Sequence, residues 1–441
     1  MFTYYVRLAW LSFKKTPVLS SLIVGAIGIG IGACISILTV YTLMIQDPVP
    51  GSSDKIFTYK LDNQPELEED RSGDSAYALV GYRDATNISK SNIPDAHSLH
   101  YQTEAVIFPM NEGPNQGQAP FKDELRLASS GFFKVHKTPF LYGSAWTENE
   151  EESSPFQTVL SKVLNEQLFG GVNSVGKSLK IGSNSYKIVG VIGEFNPIPR
   201  YFETDSDAFS VMAGAVIPFS LTEQLELRKK GGNSRCFEDP AEDTFQSFLE
   251  TECNWIHHWV AIESESARRD FKDFLDNYAL EQRRYGRFMG PFTHELHDVM
   301  SWLEDRKVVN QDYRLLLSIA FLFLIVCLLN CIGLMLAKFL GKSGEMSLRR
   351  AVGGSKKMIF RQHIVEIAFI GLLGGFVGLL VSLIGLFGIK SLYRNYEQLA
   401  HISWELTLLT LVLAVGATVL AGLLPAWRVC RLPVSQYLKS Q

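Results

Sequence analysis

The sequence predicts an α-helical membrane protein with four transmembrane helices and a large α+β domain between the first and second of them. Three observations carry this. Four apolar spans stand in a one-plus-three layout along 441 residues. A polar stretch, residues 47–312, separates the first span from the other three. Charge divides along the same line: residues 47–312 carry 26 Lys+Arg against 42 Asp+Glu, and the rest of the chain 16 against 4. An apolar run of 18 or more residues with few charges reads as a membrane helix, because a helix satisfies its own backbone polar groups where there is no water to do so.

In chain order, residues 1–17 interleave Tyr4, Tyr5, Trp10 and Phe13 with Arg7, Lys14 and Lys15. That is the pattern of a helix lying in the cytoplasmic interface. The first span, 18–45, is far longer than the apolar core of a cleaved signal, about 7–15 residues, and is expected to stay. Residues 46–312 form the outward domain. The second span is 313–337, followed by a basic loop, 338–363. The third span is 364–389, a short outward loop 390–403, the fourth span 404–424, and the tail 425–441. Basic residues cluster before the first span, in the 338–363 loop and in the tail, so both termini and that loop are expected on the cytoplasmic side. Gly28 and Gly32, Gly371 and Gly375, and Gly374 and Gly378 are spaced four apart, which lets helix backbones approach closely, within one chain or between two. Ionisable residues are sparse in the spans; Glu366, Glu405 and Arg314 sit near their ends. This argues against an ion-coupled pathway.

The outward domain reads as mixed α+β with small sheets. Strands are expected at 55–61, within 178–193 around the turn Gly182-Ser183-Asn184, at 259–263 and at 282–288. Thr158 to Leu160 is a short apolar run. Helices are expected at 161–169 and 265–278. The stretch from about 197 to 254, richer in Gly, Asp, Glu and Ser, reads as an inserted subdomain. Cys236 and Cys253 fall within it, and an oxidising compartment would permit a disulfide between them. The acidic balance argues against nucleic acid as a partner.

Two motifs are rejected. Gly171-Val-Asn-Ser-Val-Gly176-Lys177-Ser178 fits the phosphate-loop pattern, but a helix is expected before it and a strand after it, the reverse of what cradling a phosphate requires. His257-His258 and His294-Glu-Leu-His297 read as surface or interface histidines, since His-Glu-x-His lacks the zinc-protease spacing. No metal site and no nucleophile–base set is expected.

Between the second and third spans stands Gly344-Glu-Met-Ser-Leu-Arg349-Arg350-Ala-Val-Gly353-Gly-Ser355-Lys-Lys-Met-Ile-Phe-Arg-Gln-His-Ile-Val-Glu366. Near the end stands Pro425-Ala-Trp-Arg428-Val-Cys-Arg431-Leu-Pro433-Val. In the outward domain, Phe132-Phe133-Lys-Val, Pro139, Gly143, Leu160-Ser161, Leu168-Phe169-Gly170, Val175-Gly176-Lys177 and Val189-Gly190-Val191 follow in order. These stretches resemble the MacB/FtsX-like ABC permeases along nearly the whole chain apart from about 197–254. Ser174 departs from the family's usual Pro, and Gly354 from its frequent Ala.

The resemblance implies a MacB-like periplasmic core with an inserted subdomain, on a bacterial inner-membrane permease whose first two spans extend outward as a stalk. MacB carries a fused ATPase before its first span, whereas this chain has 17 residues there, so the resemblance implies the unfused form served by a separate ATPase. No catalytic residue and no bound cofactor is expected in this chain; ATP and Mg would sit on the partner. Glu345, Leu348, Arg349, Arg350, Gly353 and Ser355 would couple the ATPase to the permease, and Gly28, Gly32, Gly371, Gly375 and Gly378 would pack the helices. Implied partners are a cytoplasmic ABC ATPase, a second permease (this chain or a paralogue), a periplasmic adaptor and an outer-membrane channel. The implied activity is export of peptides, drugs or similar compounds. Alternatives are lipoprotein extraction, as in Lol-type permeases, and FtsX-like signalling to a cell-wall hydrolase, which the size of the outward domain disfavours. From another class, a membrane-anchored enzyme or receptor with no ATPase would also fit the topology.

Overall fold

The computed structural model describes residues 2–61, 63, 79–109, 119–204, 208–209, 212–232, 235–236, 239–289, 296–308, 311–392 and 404–431. They fall into two units, Gln46–Val308 and Met1–Ile45 with Val309–Gln441. The expected loop 390–403 from residue 393, the tail from residue 432 (Pro433 included) and His294 lie outside the described residues.

The chain opens with α1 (Phe2–Lys15) and α2 (Pro17–Ile45). The α/β unit then runs β1 (Ile56–Tyr59), β2 (Val80–Gly81), α3 (Tyr82–Ile88), β3 (Ala96–Phe108), β4 (Phe121–Ala128), α4 (Gly131–Val135), β5 (Phe140–Gly143) and α5 (Glu148–Ser153). Next come β6 (Gln157–Leu160), α6 (Lys162–Phe169), β7 (Ser178–Ile181), β8 (Asn184–Ile192), β9 (Ala215–Pro218), α7 (Leu221–Leu225) and β10 (Arg235–Cys236). It closes with α8 (Phe245–Glu250), β11 (Cys253–Ala261), α9 (Glu265–Arg284), β12 (Leu296–Asp298) and α10 (Val299–Asp305).

Local chemistry accounts for several boundaries. Ser161 caps α6 by accepting from the Leu164 N–H at 3.1 Å, and Gly170, at φ 66°, ends it in the left-handed region that glycine reaches without strain. The two-residue turn Gly182-Ser183 joins β7 to β8, with Ile181 opposite Asn184. Ser264 caps α9, whose buried face is Phe271, Leu275 and Ala279, one turn apart.

Among the described residues, not the expected small sheets but one mixed sheet of twelve strands results. Its order is β12-β1-β11-β3-β4-β9-β6-β8-β5, with β2 and β10 on β11 and β7 on β3 and β8. β9 pairs parallel to β4 and antiparallel to β6, so Ala215–Pro218 fills a place inside the sheet. The 197–254 stretch is therefore not wholly an insertion: its loops set its polar composition, and a four-residue strand is too short to show against them. Residues 282–288 are not a strand. α9 runs on through Gln282, Arg283 and Arg284, good helix formers, and stops where Gly286 takes φ 81°.

Both faces of the sheet are covered. Neighbours along a strand enter opposite cores: Phe57, Leu160, Ile217 and Val260 one, Ile56, Val159, Val216 and Trp259 the other. Burial on both faces removes the alternation of a half-exposed strand. For this reason β11 starts at Cys253, six residues before the expected start at 259. Cys236 stands directly opposite Cys253 in the β10–β11 pair, and the two form a disulfide.

The helical unit continues with α11 (Gln311–Leu340), α12 (Ser343–Ala351), α13 (Lys356–Leu392) and α14 (Trp404–Cys430). With α2, the helices α11, α13 and α14 are long and apolar enough to cross a membrane. All three extend past the expected span limits. The 338–363 loop is accordingly the end of α11, the whole of α12 and two turns of α13. Ile23, Ile27, Ile31 and Ile35 of α2 form a buried stripe against Cys331, Met335, Ile367 and Ile370. Two-thirds of the most apolar window of α2 is buried, against 17% for α11. A Cβ on Gly28 or Gly32 would lie 2.5 or 2.6 Å from Val377 or Val381 of α13. One on Gly371 or Gly375 would meet Thr418 or Ala414 of α14 at 3.0 Å, and one on Gly378 would approach the Gly28 carbonyl at 3.3 Å. The small-residue pairs thus seat helices of the same chain against each other.

Candidate functional site

The expected coupling residues converge on α12 and its C-terminal turn. Two residues, Gly341 and Lys342, separate α11 from α12. It is stopped by Gly353, at φ 106°, and the Gly354 N–H closes back on the Arg349 carbonyl at 2.9 Å. Ser355 then caps α13, accepting from the Met358 N–H at 3.2 Å. Gly353 and Ser355 therefore shape the reversal between two helices.

Ion pairs clamp one face of α12. Glu345 accepts from Arg349 at 2.7 Å, one turn on, and from Lys15 of α1 at 3.4 Å. Arg349 also donates to Gln362 of α13 at 3.0 Å. Burial alone would raise the Glu345 carboxyl, but Arg349 and Lys15 beside it outweigh that and hold it below the usual carboxylate range. Arg350 points elsewhere, lining a small cleft with Ser347, Lys356 and Val429. Beside the clamp the surface is open. Leu348 is 58% exposed and Val352 82%, and with Tyr4, Tyr5, Arg349, Met358 and Gln362 they line a shallow depression of about 640 Å³.

Beneath the clamp lies a charge cluster that the sequence reading missed. Lys338, counted there as a loop residue, is buried in α11, and its Nζ sits 2.9 Å from Glu366 of α13. Lys342 reaches the same carboxylate at 3.3 Å. The Ser12 hydroxyl of α1 donates to Glu366 and accepts from Lys342. Lys338 stands in the last turn of α11 and Lys342 in the turn that follows it, and their spacing of four was the available signal. Glu345 and Glu366 thus tie α1, α11, α12 and α13 into one block.

The phosphate-loop lookalike has the order expected of a false match. α6 precedes it and β7 follows. Ser174 is buried on Asn165 at 2.6 Å, and Lys177 lies over the Phe169 ring. The histidine reading is corrected. His257 and His258 are buried in the middle of β11, because strands pack on both sides of it and its two faces carry separate cores; His297, on β12, is buried against the Trp302 ring. Among the described residues no cluster of His, Cys, Asp or Glu could hold a metal ion.

The pattern of the MacB-like periplasmic core domain matches residues 20–236, and that of the FtsX-like permease C-terminal region matches residues 317–434. The second covers most of α11 and the whole of α12, α13 and α14. The chain belongs to the MacB/FtsX-like ABC permease family. It is 24% identical to the macrolide export ATP-binding/permease protein MacB of Syntrophobacter fumaroxidans, over 68% of this chain and 45% of that one. It is 22% identical to the pyoverdine export ATP-binding/permease protein PvdT of Pseudomonas aeruginosa, over 63% of this chain and 37% of that one. The chain spans about half the length, or less, of these curated relatives. Among solved structures, the periplasmic region of MacB from Actinobacillus actinomycetemcomitans aligns with 58% of this chain and 94% of its own, at 13% identity and a TM-score of 0.35. This permease is a multi-pass membrane protein with a large α/β unit between its first and second spans.

Proposed function

We propose that this permease is driven by a separate ABC ATPase docked on α12, and that it exports bulky compounds such as peptides or drugs from the periplasm. The observation that carries this is an exposed apolar edge on a clamped helix. Ion pairs and hydrogen bonds of Glu345 and Arg349 fix α12 to α1 and α13, while Leu348 and Val352 beside them stand exposed. A helix held rigidly by its own unit, with bare apolar side chains in a basic surround, suits a partner that must push on it. ATP and Mg would be held by that partner. The loop then lies in the cytoplasm with both termini, and the α/β unit in the periplasm of an inner membrane, as the basic residues favour. A second permease would complete the assembly, with an adaptor and outer-membrane channel beyond it. Relatives named for export of macrolides and pyoverdine support export over lipoprotein extraction or signalling.

Deleting the chain in its host tests the export reading. The expected result is intracellular retention of an exported compound, restored by the wild-type chain and not by Leu348→Asp. Unchanged compound levels with lipoproteins held in the inner membrane would replace this reading with extraction.

A further inference from the structure

Behind the clamped face of α12, a cleft of about 340 Å³ opens between α1, α12 and the start of α13. Leu8, Leu11, Met346 and Ile359 give it apolar walls. Five cations stand in or directly behind it: Lys14, Lys15, Lys338, Lys342 and Arg349. Among the described residues, Glu345 and Glu366 alone answer them, each already shared between two cations. Lys14 lies over the Trp10 ring at 5.3 Å and meets no carboxylate among the described residues. His363, 2% exposed, lines the same cleft. Its Nδ1 is 3.7 Å from Glu366 and makes no hydrogen bond among the described residues.

A hole with surplus positive charge and half-apolar walls matches a phosphate carried on an apolar body. Its depth agrees. Trp10 packs edge-on against Phe369 of α13 at 6.2 Å, which sets α1 level with the first turns of that span, where aromatic residues meet headgroups. Basic pockets between helices at such a membrane face suit anionic headgroups.

We propose that this cleft binds the phosphodiester headgroup of an anionic phospholipid, with Lys14, Lys15, Lys342 and Arg349 around the phosphate and an acyl chain along Leu8 and Leu11. The bound lipid bridges α1, α12 and α13 and so stiffens the mounting of α12. This rests on the apolar helices being membrane spans, and it does not require an ATPase partner.

The test is native mass spectrometry of the full chain in neutral detergent, titrated with phosphatidylglycerol or phosphatidylcholine. Phosphatidylglycerol is expected to be retained at the lower concentration. Lys14→Gln with Lys15→Gln is expected to weaken that retention by about tenfold or more, since each cation near the headgroup counts. Phosphatidylcholine retention by this variant should match wild type, which also reports intact folding. Lys357→Gln with Arg361→Gln, basic residues outside the cleft, should behave as wild type. Equal retention of the two lipids by wild type, or equal losses in the two double variants, would overturn the site. Inorganic phosphate is the second probe. Displacement of phosphatidylglycerol by an equal concentration of phosphate would overturn the lipid assignment in favour of a soluble phosphate; no displacement supports the lipid.

Discussion

Two hydrogen-bonded chains in the α/β unit hold four histidines neutral. In one, the Tyr59 hydroxyl meets His258 Nδ1 at 2.5 Å, His258 Nε2 meets His97 Nδ1 at 3.0 Å, and His97 Nε2 meets the Ser91 carbonyl at 2.8 Å. In the other, Tyr201 meets His136 at 2.7 Å, Ser98 bridges His136 to His100 at 3.1 Å each, and His100 Nε2 meets the Phe202 carbonyl at 3.2 Å. Each chain ends on a carbonyl, which only accepts. The last imidazole must donate there, and every donor upstream follows from the tyrosine. A proton added at His97 would set its Nδ1–H against the His258 Nε2–H, and one added at His258, His136 or His100 would force the facing hydroxyl to turn from donor to acceptor. Burial pushes His97, His100, His136 and His258 below the usual histidine value, with neighbouring histidines and Arg126 adding to it for His100 and His136. A folded value below the unfolded one means that the unfolded chain binds more protons in acid. Stability is then full above about pH 6.5 and falls below it, by about 1.4 kcal/mol per pH unit for each histidine that stays neutral. Hydrogen exchange of β3 and β11 in the full chain, corrected for intrinsic rates, should show protection at pH 7.5 and a large loss at pH 5.5. Equal protection at both would contradict the network. His257-His258 was visible in the sequence; its burial was not, because nothing in a run such as Asn254-Trp-Ile-His-His-Trp-Val260 alternates.

At the scale of elements, glycine spacing was the most legible packing signal. A leucine at Gly32 would strike both Val381 and the Gly378 carbonyl, at 2.6 and 2.7 Å, and backbone cannot yield cheaply. Gly32→Leu is expected to cost about 1–3 kcal/mol or more, as overpacking does. Gly25, with nothing within 4 Å, should accept alanine and gain helix propensity. Thermal unfolding in detergent distinguishes them: equal midpoints would contradict the α2–α13 seat. The Cys236–Cys253 disulfide joins residues 17 apart. Cys236→Ser is expected to lose about 2–4 kcal/mol by freeing that loop in the unfolded chain. Unfolding midpoints that match between wild type and variant under non-reducing conditions would refute this. Helix α6, its Ser161 cap and the Gly182-Ser183 turn were legible because their signals are local. β9 and the strand order were not, since pairing across the sheet joins segments up to about 240 residues apart in sequence, as Phe57 and Asp298 show.

At the scale of the whole molecule, the charge division marks the two units. The acidic α/β unit and the basic ends of the apolar helices are separate solutions to separate solvents. The stretch proposed to couple stands out by pattern, but the contacts that hold α12 involve Lys338, Lys342, Glu366 and Ser12, which converge from three distant segments. Through them a displacement of α12 would be passed to α1, α11 and α13 as one block. The most direct measurement is co-purification of the full chain with its ABC ATPase, comparing wild type, Leu348→Asp and Lys357→Gln. Leu348 is exposed and joins no clamp ion pair; Leu348→Ser, which adds no carboxylate beside Arg349, is the second variant and is expected to weaken the complex likewise. The account predicts a stoichiometric complex for wild type and Lys357→Gln and its loss for Leu348→Asp. An ATPase retained equally by Leu348→Asp, or never bound by wild type, would contradict docking on α12.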